Sequence, residues 1–206
     1  MFIAVEGIDG SGKTTLAKGL ERELGRTHRV FLTKEPTNSS ILDRESVNTP
    51  ADALSLFFLF VHDRFMHQDI IERKIGEGYV VISDRYDLSS FCYQGPPMEV
   101  LFGSMEATLD WMVSVSRVIR VIPDITFLID VDVDTALERL SIRRTRSAFE
   151  SRALLERVRS YYLHMAGMRR DCVVLDGKVG KGELLRKAVD EVSRRMSPGS
   201  DDHLVG

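Results

Sequence analysis

The segment VEGIDGSGKTT, residues 5–15, constrains the fold of this chain more than any other feature. It contains the spacing G-x-x-x-x-G-K-[ST], with Gly7, Gly12, Lys13 and Thr14 at the defined positions. An apolar run precedes the motif and an amphipathic stretch follows it, so we expect a strand, a glycine-rich loop and a helix. Such a loop points backbone N–H groups inward at a helix N-terminus, where they bind phosphate. The motif therefore predicts a nucleoside triphosphate site, in which the lysine reaches the outer phosphates and the threonine hydroxyl binds Mg²⁺.

Short apolar runs alternate with longer amphipathic segments along the chain, which is the pattern of βα units around a parallel sheet. We therefore expect an α/β fold, a five-stranded parallel sheet flanked by helices. The predicted strands are Phe2–Val5, Val30–Thr33, Tyr79–Ser83, Ile125–Asp130 and Cys172–Asp176. The predicted helices are Lys13–Leu24, a long helix that ends at Gly76 or Gly78, Ser104–Val121, a helix after Asp132, Glu150–Arg170 and a last helix over residues 181–196.

The long helix has a start signal in the sequence NTPADA. Thr49 can act as its N-cap, Pro50 can occupy the first helical position, and Asp52 can complete a capping box. We therefore expect this helix to begin at Pro50.

The composition limits the partners that the chain can have. At 206 residues the chain is long enough for one core of ordinary size, so we expect a single domain. A formal net charge of −3 argues against a nucleic-acid binder, because a phosphate ligand must then be held by a local site. Cys92 and Cys172 show neither a disulfide framework nor zinc-ligand spacing, and the nearly apolar residues 53–61 are fewer than the roughly 18 of a membrane span. The N-terminus lacks the basic region of a signal peptide, so we expect a cytoplasmic protein with no membrane or nucleic-acid partner.

Further motifs narrow the class of P-loop protein. No N-K-x-D sequence follows a strand, which argues against a guanine-specific switch protein, and the chain is too short for the modules of most P-loop motors. A kinase of a small acceptor remains. The third predicted strand leads into Asp84-Arg85-Tyr86, where the carboxylate can order Mg²⁺ through water and the arginine can bind a phosphate with two N–H groups. An ordinary ion pair is the alternative, but ligands of open α/β sheets bind at the carboxyl ends of the strands.

Together these motifs resemble the thymidylate kinase family, the nucleoside monophosphate kinases that make dTDP from dTMP and ATP. The resemblance covers most of the chain, and its most specific part is DRY followed by a serine and YQG. It is carried by the sequences GIDGSGKTT, KEP, LFFLFVHDR, DRYDLSSFCYQG, PDITFLIDV, RLSIRRTR and RSYYLHMA. It implies a three-layer P-loop NTPase fold, ATP and Mg²⁺ as cofactors, and a homodimer packed through long helices. It also implies one kinase domain over residues 1–196 with a short arginine-rich lid at about residues 141–150, followed by a flexible tail over residues 197–206.

The resemblance implies an acceptor site for dTMP. Phe60 would stack on the thymine ring, although core packing is the alternative for a side chain of this apolar helix. Arg64, one helical turn later, would donate a hydrogen bond to a base carbonyl and disfavour cytosine, whose amino group is itself a donor. The other implied acceptor contacts are Asp9 (sugar 3′-hydroxyl or metal shell), Glu35 and Pro36 (an approaching loop), Arg85 (acceptor phosphate), Ser90 (base edge), Tyr93 and Gln94 (sugar and base), and Tyr162.

On the donor side, the resemblance implies that the loop binds ATP. Lys13 and Arg85 are expected to be catalytic, and Thr14 and Asp84 are expected to hold Mg²⁺ through water. The implied ATP-binding residues are Gly7, Ile8, Asp9, Gly10, Ser11, Gly12, Lys13, Thr14, Thr15 and Arg139.

Four arginines fall within eight residues of the lid region, namely Arg139, Arg143, Arg144 and Arg146. A solvated charged face is the alternative explanation. Phosphoryl transfer spreads charge over the β and γ oxygens of the nucleotide, and an arginine can neutralise that charge. The phosphate loop contains no arginine, so we expect the lid to supply the catalytic arginine. Arg143 is the first candidate and Arg144 the second, and Arg139 is expected to contact a phosphate on the hinge side of the lid. The attacking phosphate oxygen is already ionised, so no general base is needed, and we give no role to His28, His62, His67, His164 or His203.

Two departures from the family leave the acceptor open. After KEP the family usually continues with two glycines and a threonine, where this chain has residues 37–40, TNSS. Between Gly95 and Pro123, which includes Pro96-Pro97 and Trp111, no family residue can be matched. A related kinase with another acceptor, such as dUMP or a deoxynucleoside, therefore remains an alternative. A P-loop regulatory ATPase that uses water is the alternative of another class.

Overall fold

The computed structural model describes residues 1–41, 49–142 and 152–197. Five strands form one parallel sheet: β1 (Phe2–Glu6), β2 (Val30–Lys34), β3 (Val80–Asp84), β4 (Ile125–Asp130) and β5 (Cys172–Asp176). Their spatial order is β2-β3-β1-β4-β5. All five predicted strands are confirmed, and no strand end differs from its prediction by more than one residue.

Helices cover both faces of the sheet. Within the described ranges these are α1 (Lys13–Leu24), α2 (Pro50–Gly76), α3 (Asp87–Phe102), α4 (Met105–Val115), α5 (Val133–Ile142), α6 (Arg152–Met168) and α7 (Lys181–Met196). α1 and α7 pack together, and Leu16 and Leu184 share a core cluster with Val5 of the sheet. α2, α3 and α6 form the other layer, where Phe57 and Tyr161 belong to a second cluster. The predicted three-layer α/β fold is confirmed.

Strand β1 lies at the centre of the sheet, and all five of its residues are buried. It pairs with β3 through Phe2 and Val81 and with β4 through Ile3 and Ile125. A parallel strand covered on both faces has no exposed side, which is why its sequence is a continuous apolar run up to the final glutamate. The pairing places the carboxyl ends of β1 and β3 side by side, where the loop after β1 meets Asp84.

The capping box predicted for α2 is confirmed. Thr49 Oγ1 accepts a hydrogen bond from the Asp52 N–H at 3.1 Å, and Asp52 Oδ2 accepts one from the Thr49 N–H at 2.9 Å. Pro50 is the first helical residue, and the helix ends at Gly76 as one of the two predicted stops. No helix in the described ranges has the length and apolar character needed to cross a membrane.

The prediction for residues 87–121 is wrong in two respects. Sequence reasoning proposed no helix before residue 104, but α3 runs over Asp87–Phe102 with Pro96 and Pro97 inside it. The predicted helix Ser104–Val121 is too long, since α4 ends at Val115 and a short 3₁₀ turn follows. Proline in a helix interior removes a backbone donor and usually ends the helix. Here α3 is nevertheless held by packing on both α2 and α6.

The predicted lid and tail fall mostly outside the described residues. α5 ends at Ile142 and α6 begins at Arg152, so Arg143, Arg144 and Arg146 are not described, nor is residue 150, where the next helix was predicted to start. The tail beyond Ser197 is likewise outside the described ranges.

Candidate active site

The phosphate loop joins β1 to α1, as its motif predicts. Three of its glycines have positive φ, which is 142° at Gly7, 83° at Gly10 and 107° at Gly12. A Cβ at Gly10 would lie 2.4 Å from the carbonyl oxygen of Ala136, and a Cβ at Gly7 would lie 2.5 Å from that of Ile129. Side chains rarely adopt this backbone conformation, and neither position has space for one. The curl of the loop therefore depends on glycine.

Lys13 is buried within this loop. Its ammonium group donates hydrogen bonds to the carbonyl oxygens of Gly7 at 2.8 Å and Ile8 at 2.9 Å, and it lies 3.5 Å from Asp9 Oδ1. Burial and, after it, the charge of Arg85 lower the pKa of Lys13 to about 8, against the opposing effect of Asp9. A buried cation at a helix N-terminus is a strong site for a phosphate anion.

Thr14 and Asp84 meet at the carboxyl end of the sheet. The Thr14 hydroxyl donates a hydrogen bond to Asp84 Oδ2 at 2.5 Å, although the two residues are 70 positions apart in the sequence. A hydroxyl and a carboxylate are oxygen ligands of the kind that Mg²⁺ prefers in nucleotide sites. The two residues predicted to hold the metal are thus brought together, and their chemistry fits it.

Arg85 directly follows β3 and has the left-handed φ of 75°. Its guanidinium forms an ion pair with Asp9 and donates a hydrogen bond from Nη1 to Ser89 Oγ at 3.2 Å. The Asp9 N–H in turn donates to the Tyr93 hydroxyl at 2.8 Å. Burial alone would raise the pKa of Asp9, but Arg85 and Lys13 together hold it below its usual value. Asp9 therefore stays a carboxylate between two cations.

A cavity of about 330 Å³ opens where these groups meet. The cavity lies between the phosphate loop and the loop that follows β2, so both Lys13 and Glu35 line it. Its lining includes Asp9, Gly10, Gly12, Lys13, Thr14, Thr15, Lys34, Glu35, Pro36, Asp84, Arg85 and Leu140. Most of the residues predicted to bind ATP therefore line this cavity.

Arg64 forms a second cluster beside this cavity. The side chain is 1% exposed, and its Nε donates to Glu35 Oε2 at 2.8 Å. Its Nη2 donates to the Tyr86 carbonyl oxygen and to Ser90 Oγ, both at 2.9 Å. Nη1 is buried and has no hydrogen-bond partner among the described residues. A buried charged donor without a partner is costly, so this atom marks a position where a ligand oxygen could bind.

Phe60 and Gln94 are two further residues that were predicted to contact the base. Phe60 precedes Arg64 by one helical turn and is half-buried, and none of the hydrophobic clusters among the described residues includes Phe60, whereas Phe57 belongs to the core. Phe60 is thus less buried than Phe57, and its predicted contact with the base stays a prediction. Gln94 is buried, and its Oε1 has no partner among the described residues. Its acceptor oxygen is therefore available to a donor on a ligand.

Comparison with known proteins places this geometry in one family. The family model described as thymidylate kinase matches residues 5–187. A probable thymidylate kinase of Thermoplasma acidophilum is 40% identical over 95% of this chain and 97% of its own length. Probable thymidylate kinases of Thermoplasma volcanium and Picrophilus torridus are 46% and 43% identical, each over 79% of this chain and over 83% and 79% of their own lengths. The chain belongs to the thymidylate kinase family.

In this thymidylate kinase family member, Glu6 at the end of β1 holds the segment that follows β3. The sequence analysis did not predict this role. The side chain is fully buried at the end of β1, and it accepts hydrogen bonds from the Tyr86 N–H at 2.7 Å and from Ser89 Oγ at 2.6 Å. Tyr162, predicted as an acceptor contact, donates its hydroxyl to Glu6 at 3.0 Å and sets its ring edge-on to Tyr93. Burial raises the pKa of Glu6. A glutamate that ends a buried strand directly before the loop was the available sequence signal.

A second cavity, of about 230 Å³, lies on the other side of the phosphate loop. Arg139 borders it and donates hydrogen bonds to the carbonyl oxygens of Ser11 at 3.3 Å and Gly177 at 2.9 Å. The wall opposite the loop comes from Val179 and Leu184, at the start of α7. Sequence reasoning assigned Arg139 to the nucleotide but missed the segment that follows β5.

The loop that departs from the family pattern is held by Asp63. Its two carboxylate oxygens accept hydrogen bonds from the Thr37 N–H at 2.7 Å, the Thr37 hydroxyl at 2.5 Å and the Asn38 N–H at 3.2 Å. Asp63 lies next to Arg64 on α2, so the same helix anchors this loop and the Arg64 cluster. The loop at Pro36 is thereby fixed against the main cavity.

Proposed function

We propose that this protein transfers the γ-phosphoryl group of ATP to dTMP, giving dTDP and ADP. The observation that carries the proposal is the buried Nη1 of Arg64, which lacks a partner among the described residues beside a phosphate loop. A pyrimidine carbonyl would supply the missing acceptor. Family membership supports the same reaction, since the relatives described above carry the name thymidylate kinase.

Catalysis by these residues consists of alignment and charge neutralisation. Lys13 binds the outer phosphates of the donor, and Arg85 binds the acceptor phosphate with its paired N–H groups. Thr14 and Asp84 would hold Mg²⁺, which when bound neutralises charge on the β and γ phosphates. No side chain needs to remove a proton, because the attacking phosphate oxygen is already an anion.

Acceptor selection follows from the donors and acceptors around Arg64. A guanidinium can only donate, so it binds the carbonyl of thymine and opposes the amino group of cytosine. Phe60 stacks on the ring, Ser90 and Gln94 meet its edge, and Tyr93 occupies the space that a ribose 2′-hydroxyl would need. The free Oε1 of Gln94 supports this assignment, because thymine carries an N–H donor between its two carbonyls.

The catalytic arginine belongs to the lid under this proposal, with Arg143 first and Arg144 second. Arg139 already donates to backbone carbonyl oxygens of the loop and of Gly177, which supports a role as a hinge-side contact. Loss of Arg143 should therefore reduce kcat more than ATP binding, and unchanged turnover in Arg143→Ala would move the role to Arg144 or Arg146. We further propose one kinase domain over residues 1–196.

One assay tests the function. ADP production with ATP and Mg²⁺ should be fastest with dTMP in a panel that also contains dUMP, dCMP, AMP, thymidine and no acceptor. Equal ADP production without an acceptor would identify a hydrolase and reject the kinase. A faster rate with dUMP, dCMP, AMP or thymidine would retain the kinase and reject dTMP as the preferred acceptor.

We also propose that the protein is a cytoplasmic homodimer packed through α2. Four large apolar side chains of this helix are exposed, namely Phe58 (48%), Phe65 (42%), Met66 (58%) and Ile70 (38%). Exposed large apolar side chains grouped on one helix are typical of a protein interface.

A charge among these side chains should therefore separate the subunits. Met66→Glu is expected to lower the sedimentation coefficient from that of a dimer to that of a monomer, because the interface would bury an unpaired carboxylate. Met168→Glu is the matched control, since Met168 is 68% exposed on α6, away from the α2 face. A wild type that sediments as a monomer, or equal effects of the two variants, would contradict the proposal.

A further inference from the structure

His67 is the only buried histidine among the described residues, with 2% of its surface exposed. It lies on α2 three residues after Arg64. Its Nδ1 is 3.0 Å from Glu35 Oε1, and its Nε2 is 2.9 Å from Thr33 Oγ1. Both ring nitrogens are therefore satisfied by groups on β2 and the residue that follows it.

The direction of these hydrogen bonds follows from the partners. A carboxylate has no proton to give, so the Nδ1–H of His67 donates to Glu35. The other ring nitrogen, Nε2, meets the Thr33 hydroxyl, which can either donate or accept a hydrogen bond. The result is a chain in which Thr33 orients His67 and His67 orients Glu35.

Glu35 divides its two oxygens between two residues of the same helix. Oε2 accepts from Arg64 Nε at 2.8 Å, and Oε1 accepts from His67. The carboxylate is only 4% exposed, so water cannot readily replace either partner. The last side-chain torsion of glutamate is soft, and a carboxylate that loses one of its two partners is free to turn.

We propose that His67 is a positioning residue for acceptor recognition. By fixing the plane of the Glu35 carboxylate, it fixes the guanidinium of Arg64, whose buried Nη1 faces no described protein acceptor. His67 acts through Glu35 and contacts neither the acceptor nor the reacting phosphates. This inference rests on the proposed function, because it assigns the missing partner of Arg64 to a carbonyl of the acceptor base.

A matched pair of substitutions separates the two sides of the ring. The amide nitrogen of asparagine can take the place of Nδ1, so His67→Asn can keep the bond to Glu35 and lose the bond to Thr33. The amide of glutamine reaches the place of Nε2, so His67→Gln can keep Thr33 and lose Glu35. We expect His67→Gln to raise KM for dTMP about tenfold, with kcat and KM for ATP within about twofold of wild type, because a charge-assisted bond that supports ground-state binding is lost. His67→Asn should stay within about threefold of the wild-type KM for dTMP, since that bond is kept.

A purely structural role would give a different pattern. It would lower thermal stability in both variants and affect dTMP and ATP alike, so equal KM values for dTMP in the two variants, or a parallel rise in KM for ATP, would overturn the proposal. If His67→Gln does not fold, His67→Leu provides the second test, because leucine cannot donate a hydrogen bond to Glu35. A rise of about tenfold in KM for dTMP is then expected, and an unchanged KM overturns the proposal.

The wild-type enzyme keeps this test separate from the test of function. If wild type phosphorylates an acceptor other than dTMP, the proposed function fails, and the two His67 variants are compared on that acceptor instead. If His67 has no positioning role, the two variants then have the same KM for that acceptor.

Discussion

Lys13→Met should lower kcat by about 10²- to 10³-fold while the affinity for dTMP stays within about twofold of wild type, as expected for loss of one preorganised charge at the reacting group. Methionine keeps most of the length of the side chain and removes only the ammonium group. That group already donates to the carbonyl oxygens of Gly7 and Ile8, so it sits at the mouth of the loop before any phosphate binds. Turnover at saturating ATP and dTMP, with calorimetric titration of dTMP, measures both quantities.

The same variant should change how stability depends on pH. Burial lowers the pKa of Lys13 from 10.5 in the unfolded chain to about 8 in the folded one. Between these values the unfolded chain binds more protons, so the free energy of unfolding contributed by Lys13 rises with pH; below about pH 8 its contribution is constant and unfavourable. The ligand-free wild type should therefore gain up to about 3 kcal/mol relative to Lys13→Met between pH 8 and pH 10.5. Denaturant titrations of the two proteins at several pH values test this, and parallel pH profiles would contradict it.

Arg85→Lys should reduce kcat/KM for dTMP on the order of 10²-fold, because lysine offers one point charge where the guanidinium offers two parallel donors. Both ends of the Arg85 guanidinium are engaged, one with Asp9 and the other with Ser89. Ser89 itself donates a hydrogen bond to the buried Glu6. The direction of the Arg85 guanidinium is therefore fixed before the acceptor phosphate binds. Steady-state kinetics with dTMP varied at saturating ATP gives the magnitude.

The control for this variant is Arg22→Lys, on the exposed side of α1, which should leave kcat/KM unchanged. The left-handed backbone at residue 85 has the same conformational cost for arginine and for lysine. The wild type and Arg85→Lys should therefore unfold at similar temperatures. An equal loss of affinity for ATP would contradict the assignment of Arg85 to the acceptor phosphate alone.

The sequence predicted the sheet well because each strand is a short apolar run bounded by polar residues. It failed at α3, where Pro96 and Pro97 indicate a loop by local preference. The helix persists because Gly95 lies against Tyr161, so closely that a Cβ would sit 2.4 Å from that ring. Close packing between helices distant in sequence has no local signal, and it outweighed the preference of the two prolines.

The candidate site also contains residues that could be predicted from the sequence and residues that could not. The phosphate loop, Thr14 and Asp84 could be predicted, since each follows or precedes a recognisable strand. Glu6 and His67 could not, because their importance lies in partners that the sequence does not place near them. Glu6 meets Tyr86 and Ser89, and His67 meets Thr33 and Glu35, only after the strands have paired.

The central position of β1 affects the order in which the protein can be assembled during synthesis. Phe2 pairs with Val81 and Ile3 with Ile125, and the Phe2 N–H donates to Asp124 at 2.6 Å. During synthesis the phosphate loop is therefore made before either neighbour of β1, and the second neighbour, β4, is complete only after more than half of these 206 residues. Contacts between residues so far apart in sequence form slowly. The phosphate loop is therefore translated before both strands that hold β1 in place, and it is among the last parts of the nucleotide site to become ordered.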